Sequence, residues 1–100
     1  MALVIDMPSV KLIYTFMDGK TSLAEWVLNG LYRESHVFVD KIGPGRPTFE
    51  KTVRKYKVRT FPTIIVAGAA QRREIKIDDK KFFTDAGKLR EHLAETFLRV

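Results

Sequence analysis

Hydrophobic residues follow two different spacings along the chain, and these spacings predict the order of its strands and helices. The stretch VKLIYTF at 10–16 is rich in β-branched and aromatic residues, which is typical of a buried strand. A shorter apolar run, ALVI at 2–5, predicts an extra edge strand or tail that Pro8 would break. The chain is therefore expected to begin with β structure, before its first helix.

A helical spacing follows the turn MDGKTS. Apolar residues recur there at every fourth position, which predicts an amphipathic helix from about Leu23 to Glu34. Ser22, followed three residues later by Glu25, predicts a capping box at its start. Trp26 flanks the apolar stripe, and we expect it to be in the core or half-buried rather than on a binding surface. Gly30 is costly inside a helix, so a close neighbour or a bend is expected there.

The rest of the chain continues the alternation of strand and helix patterns. In chain order it predicts a strand at 36–40, a helix at 49–56 capped by Thr48, strands at 63–68 and 73–78 joined by a hairpin, and a helix that begins near Thr84 or Asp85. The order β-α-β-α-β-β-α predicts one α/β domain over residues 1–100, with a mixed four-stranded sheet flanked by helices. Because the first two crossovers contain helices, we expect parallel pairs among the first three strands and an antiparallel fourth strand.

Composition removes several kinds of chemistry. The 100 residues fit a single domain, and none is cysteine, so disulfides, thiol catalysis and cysteine-bound zinc are excluded. The histidines, His36 and His92, lie far apart without clustered partners, and we expect no metal site. No apolar run reaches the roughly 20 residues of a membrane span, and the first residues lack the pattern of a signal peptide. We therefore expect a cytoplasmic protein that does not contact a membrane.

Positive charge is concentrated in one part of the chain. The net charge is +6, and the segment 46–81 contains eleven Lys and Arg residues but four acidic ones. Candidate polyanion-binding residues in this segment are Lys51, Arg54, Lys55, Arg72 and Arg73. Such a segment is compatible with nonspecific nucleic-acid binding. Few aromatic residues lie among the cations, however, so a solvated surface is the simpler interpretation.

One proline stands where a strand is expected to begin. The segment VRTFPTIIVAG at 58–68 places Pro62 directly before a β-branched run. Together with the element order, this segment resembles the thioredoxin-fold superfamily in its compact, glutaredoxin-like form, over about residues 10–98. The resemblance implies a cis peptide bond between Phe61 and Pro62. It also implies that the exposed backbone of Phe61 pairs with an extended peptide or with glutathione.

The chain departs from this superfamily at the position of its reactive thiol. The resemblance implies a Cys-x-x-Cys or Cys-x-x-Ser motif that opens the first helix, where the helix N-terminus stabilises a thiolate. Aligning Asp18-Gly19 with the family's turn places Lys20-Thr21-Ser22-Leu23 over the motif, so neither cysteine is present. Thiol–disulfide oxidoreductase activity is thereby excluded. Natural loss and engineered replacement both remain open, and Lys20 and Leu23 would be unusual engineered replacements.

The resulting hypothesis is a redox-inactive thioredoxin-like domain that binds a protein or peptide partner or acts as a scaffold. The residues favour a role without catalysis, and they leave enzymatic activity of other kinds open. The alternatives are binding of glutathione or a small thiol, and nonspecific nucleic-acid binding through 46–81. Candidate ligand- or peptide-binding residues are Lys20, Thr21, Ser22, Thr60, Phe61, Pro62, Asp78 and Asp79. Asp78 and Asp79 stand near the place where the family binds the γ-glutamyl end of glutathione, although Lys76-Ile77 replaces the glycines expected before them. Besides glutathione no cofactor is expected, and the sequence leaves the oligomeric state open.

Overall fold

The element order of the folded chain agrees with the predicted one. A computed structural model describes residues 8–68 and 73–100. Its elements are β1 (Ser9–Ile13), α1 (Gly19–Ser35), β2 (Phe38–Ile42), α2 (Phe49–Lys55), β3 (Thr63–Ala67), β4 (Glu74–Ile77), a 3-10 turn (Lys80–Phe83) and α3 (Ala86–Phe97). The predicted mixed four-stranded α/β fold is therefore confirmed. The predicted edge strand at 2–5 and the candidate residue Arg72 lie outside the described residues.

The four strands form one sheet in the order β2-β1-β3-β4. β1 and β2 are parallel, whereas β3 runs antiparallel to both β1 and β4. The expected parallel pairing of the third strand is therefore wrong. Ile42 at the end of β2 and Thr63 at the start of β3 both pair with Ile13, so the connection leaves and re-enters the sheet at the same end. The seven residues of α2, which rise about 10 Å, do not return the chain to the opposite end.

The sheet separates two hydrophobic cores. The larger core lies on the side of α1 and α3 and includes Leu12, Leu28, Ile64, Phe83 and Leu93. The smaller core lies on the side of α2 and consists of Ile13, Val58 and Ile65, against which Phe49, Val53, Tyr56 and Phe61 pack. The predicted apolar side of the second helix is thus the side that faces the sheet. Thr48 occupies the predicted cap position, but its side chain makes no capping hydrogen bond.

The first helix begins earlier than its sequence pattern predicted. Asp18 is its N-cap, and the Asp18 side chain accepts a hydrogen bond from the backbone N–H of Thr21 at 2.8 Å. The predicted capping box at Ser22 is therefore wrong, since the Ser22 N–H already donates to the Asp18 carbonyl within the helix. Asp is as good a cap as Ser, and the backbone places Asp18 rather than Ser22 at the N-cap position.

Two further expectations for α1 concern Trp26 and Gly30. Trp26 is 66% exposed, so the core or half-buried position expected for it is wrong. Gly30 has nothing within 4 Å of the position that a Cβ would occupy, so a close neighbour does not explain this glycine, and the alternative of a bend stays a prediction. Both residues line a groove of about 370 Å³ between α1 and α3, together with Gly87 and Arg90. The outer surface of these two helices is therefore concave and carries an exposed indole.

Candidate functional site

The segments expected to form a binding site meet at one end of the sheet. Ile13, the last residue of β1, pairs with Thr63, the first residue of β3, and α1 begins six residues after Ile13. The register also pairs Ile64 with Ile77, so Asp78 follows β4 at the same end. The topology thus brings together the residues that precede α1, the residues that precede β3 and those that follow β4.

The segment before β3 carries the proline identified in the sequence. The Phe61–Pro62 peptide bond is cis, and Pro62 is buried. The half-buried ring of Phe61 stacks on Phe49 with a centroid separation of 6.0 Å. Thr60 is exposed, and its carbonyl accepts a hydrogen bond from the hydroxyl of Thr63 at 2.7 Å. No hydrogen bond joins the backbone of Phe61 to another residue that the structure describes.

Two exposed apolar side chains at this end of the sheet were missed by sequence reasoning. Phe16 is 67% exposed and Met17 is 47% exposed, and both lie between β1 and α1. The apolar run in the sequence continues to Phe16 and therefore predicts a buried strand of that length. In the structure the strand already ends at Ile13. We name the surface formed by Phe16, Met17, Thr60, Phe61 and Pro62 the Phe61–Pro62 edge.

The N-terminus of α1 already contains a negative charge. The pKa of Asp18 is lowered from its ordinary value, first by the hydrogen bond from the Thr21 backbone N–H, then by the Thr21 hydroxyl, with a smaller contribution from the charge of Lys20. The residues that open the helix are therefore Asp18 to Thr21, two positions earlier than the four aligned with the cysteine motif. Thr21 is buried and Ser22 is exposed. The carboxylate of Asp18 occupies the place where the helix N-terminus would stabilise an external anion.

The two aspartates after β4 also have partners within the protein. Asp78 lies 3.8 Å from the ammonium group of Lys76. Asp79 caps the 3-10 turn by accepting a hydrogen bond from the backbone N–H of Lys81, and it pairs with the Lys81 side chain at 3.8 Å. The structure therefore places both carboxylates at the expected end of the sheet, each with a contact that explains its position without a ligand.

Three candidate polyanion-binding residues, Lys51, Arg54 and Lys55, are exposed on α2, on the other side of the sheet from α1. Arg73 is exposed next to β4. The phenol of Tyr56, just after α2, donates a hydrogen bond to the Glu74 carboxylate, which attaches the end of α2 to β4. Partial burial, followed by the contact with Glu74, raises the pKa of Tyr56 to about 12, so this phenol stays protonated at neutral pH.

The described residues contain neither a metal-binding cluster nor a helix that could span a membrane. Within 8–68 and 73–100, no three His, Asp or Glu side chains come together in a way that could hold a metal ion. None of the helices in these ranges has both the length and the apolar character needed to cross a membrane.

Comparisons with known proteins give matches of structure only. The sequence matches no protein-family model and no curated protein. Among solved structures, thioredoxin O2 of Arabidopsis thaliana superposes with a TM-score of 0.69 and 17% identity, covering 92% of this chain and 76% of that one. The germline-specific thioredoxin Deadhead of Drosophila melanogaster superposes with a TM-score of 0.63 and 22% identity, covering 90% of this chain and 81% of that one. Thioredoxin-2, described as a component of the malaria parasite protein secretion machinery, superposes with a TM-score of 0.68 and 14% identity, covering 95% of this chain and 88% of that one.

These similarities define the class of fold. All three structures are thioredoxins, and each superposes on at least nine-tenths of this chain. The protein therefore has a thioredoxin fold, and it has this fold without any cysteine. At these levels of identity the similarity concerns the fold and does not extend to an activity.

Proposed function

We propose that this chain is a redox-inactive thioredoxin-fold module that binds an extended segment of a protein partner at the Phe61–Pro62 edge. The observation that carries the proposal is the exposure of Phe16 and Met17 at the same end of the sheet as the start of β3. Soluble proteins expose single apolar side chains routinely, but two adjacent ones at the end of the sheet that carries the cis-proline favour an interaction site. Burial of two such side chains supplies the apolar centre that most protein interfaces contain.

The backbone of Phe61 supplies the polar part of such an interface. Its N–H and C=O have no hydrogen-bond partner among the described residues, and it lies directly before a strand. An extended peptide can pair with free backbone groups of this kind, and pockets for its side chains then determine specificity. Phe16 and Met17 would contact the apolar side chains of the bound segment.

Binding is favoured over catalysis by the groups that surround this edge. The chain has no thiol, and the helix N-terminus that would activate one contains the carboxylate of Asp18. Catalysis by a hydroxyl needs an adjacent base. Thr21 is buried, and its hydroxyl contacts the acidic cap Asp18. A role in a protein assembly is compatible with the fold, since the similar malarial thioredoxin-2 is described as part of a secretion machinery.

Selection from a displayed library of random short peptides tests this function. We expect the wild-type protein to enrich peptides with apolar residues in alternate positions, and we expect Phe16→Ser/Met17→Ser to lower their affinity at least tenfold. The matched control is Phe38→Ser/Leu98→Ser, since these two side chains are also exposed but lie outside the edge. The control should bind as the wild type does. Failure to enrich any peptide, or equal weakening by both double variants, would refute the proposed function.

A further inference from the structure

A second surface, on the α2 side of the sheet, carries cations that have no acidic partner. Four exposed residues form it, and we name them the α2 basic face: Lys51, Lys55, Lys57 and Arg59. None of the four has a carboxylate within 4 Å among residues 8–68 and 73–100. Repulsion between nearby like charges is costly, so an uncompensated group of this kind favours an anionic partner.

Contacts with β4 hold the end of α2 and the residues that follow it. Tyr56 hydrogen-bonds Glu74, and the ammonium group of Lys76 lies 3.3 Å from the carbonyl oxygens of both Tyr56 and Lys57. These bonds fix the end of α2 against the edge strand, and with it the cations that follow the helix.

The acidic residues of the same region are already engaged. Glu50 pairs with Arg54 at 3.6 Å, Glu74 accepts the hydrogen bond of Tyr56, and Asp78 pairs with Lys76. The carboxylates near the α2 basic face thus contact groups outside that face. Its four positive charges remain available to a ligand.

The α2 basic face lacks the apolar centre of a protein interface. The large apolar side chains that are exposed in the described residues are Phe16, Met17, Trp26, Tyr32, Phe38 and Leu98, and none lies on α2 or next to it. Phe49, Val53 and Tyr56 pack against the sheet instead. Protein interfaces depend on buried aromatic or aliphatic anchors, whereas binding of a phosphate backbone depends on cations alone.

We propose that the α2 basic face binds the phosphate backbone of duplex nucleic acid without reading its sequence. α2 has seven residues, too few for a recognition helix that follows a major groove, and its outer positions contain no Asn or Gln to pair with base edges. Contacts of Lys and Arg with phosphates fix where the protein lies on the duplex, but they do not distinguish one base sequence from another. Single-stranded nucleic acid is bound by aromatic stacking as well as by cations, and this face presents no exposed aromatic ring large enough for stacking.

The dependence of duplex binding on salt concentration tests the proposed contacts between the α2 basic face and phosphates. Fluorescence anisotropy of a labelled mixed-sequence DNA duplex is recorded with the full chain over a series of salt concentrations. Four phosphate contacts give a slope of log K against log salt of about −3 to −4. We expect such a slope, and we expect the single strand of the same length to bind no more tightly than the duplex. Amide chemical shifts of the wild-type protein should move at Lys51, Lys55 and Arg59 when the duplex is added.

A pair of charge variants separates a local site from an effect of net charge. Lys51→Glu/Lys55→Glu/Arg59→Glu should weaken binding at least tenfold at low salt and reduce the slope by about 3. Arg33→Glu/Lys88→Glu/Arg99→Glu makes the same change of net charge at exposed positions of the other layer, and it should weaken binding by less than about threefold. Both variants change exposed side chains only, and thermal unfolding verifies that each is folded.

Several results would overturn the proposal. These are absence of duplex binding at low salt, equal weakening by the two triple variants, and displacement of the duplex by poly-glutamate as effectively as by unlabelled duplex. Amide shifts confined to the Phe61–Pro62 edge would overturn it as well, because the duplex would then bind at the other surface. The amide shifts are measured on the wild-type protein, so the proposal remains testable even if a charge variant does not fold.

Discussion

The carboxylate of Asp18 accepts a hydrogen bond of 2.8 Å from the backbone N–H of Thr21. A negative charge is favoured at a helix N-terminus, and here an acidic side chain of the protein itself supplies that charge. Asp18 therefore acts as the structural cap of α1.

The cap gives a direct prediction for stability. Asp18→Ala removes the acceptor for the Thr21 N–H and should lower the melting temperature, because a backbone donor then loses its partner. Ser22→Ala is the matched control, since Ser22 is exposed and makes no capping bond. Thermal unfolding followed by circular dichroism measures both. A larger loss for Ser22→Ala than for Asp18→Ala would show that the capping box predicted from the sequence is the real one.

The same cap predicts a dependence on pH. The pKa of Asp18 is lowered from 3.8, chiefly by the Thr21 N–H, so folding favours the ionised carboxylate. The contribution of the ionised Asp18 carboxylate to the free energy of unfolding is fully present above about pH 4. It is lost as the pH falls through the lowered pKa of Asp18 in the folded state. Asp18→Asn keeps an acceptor but cannot ionise. The difference in melting temperature between wild type and Asp18→Asn should be constant near neutral pH and should shrink below about pH 4, and a difference that grows on acidification would contradict this.

Glutathione provides a test of the alternative small-ligand function. Its carboxylates would compete with Asp18 for the N-terminus of α1, and Asp78 and Asp79 already pair with lysines. We therefore expect no saturable amide shifts at Thr21, Phe61 or Asp79 when reduced glutathione is added at millimolar concentration. Saturable shifts at all three positions would show that the tripeptide binds and would restore that hypothesis.

Two glycines should respond to alanine in opposite directions. Gly30 lies inside α1 with open space around its missing Cβ, so Gly30→Ala should raise the free energy of unfolding by about 1 kcal/mol. For a domain of this size that is about 4 to 8 °C in melting temperature. At Gly43 a Cβ would lie 2.7 Å from the ring of Tyr14, so Gly43→Ala should cost about 1 to 3 kcal/mol. Denaturant unfolding measures both, and a destabilising Gly30→Ala would indicate a neighbour that the structure does not show.

Local patterns predicted the elements well, while their relative placement needed the structure. The spacing of apolar residues in α1 and α3 depends on helical periodicity, which is a local property. The direction of β3 depends on where the connection after Ile42 re-enters the sheet, which no local pattern contains. Asp18 and Ser22 are both good caps, and only the packing of Thr21 in the core distinguishes them.

The sequence predicts the proline of the candidate site, but it does not predict which side chains are exposed around that proline. Pro62 stands out in the sequence because it precedes a strand, and the structure places it at the expected end of the sheet. Phe16 continues an apolar run, so its exposure depends on the strand ending at Ile13. The attachment of the end of α2 to β4 rests on a hydrogen bond between residues eighteen positions apart, Tyr56 and Glu74. Such contacts belong to tertiary structure and leave no signal in the spacing of charges.

Amide chemical-shift mapping with a selected peptide bound tests peptide binding at the Phe61–Pro62 edge most directly. The predicted result is that the largest shifts occur at Phe16, Met17, Thr60 and Phe61, and that they vanish in Phe16→Ser/Met17→Ser. The groove between α1 and α3 is the competing surface, since Trp26 is as exposed as Phe16. Shifts that cluster around Trp26 and leave Phe61 unchanged would contradict the proposal.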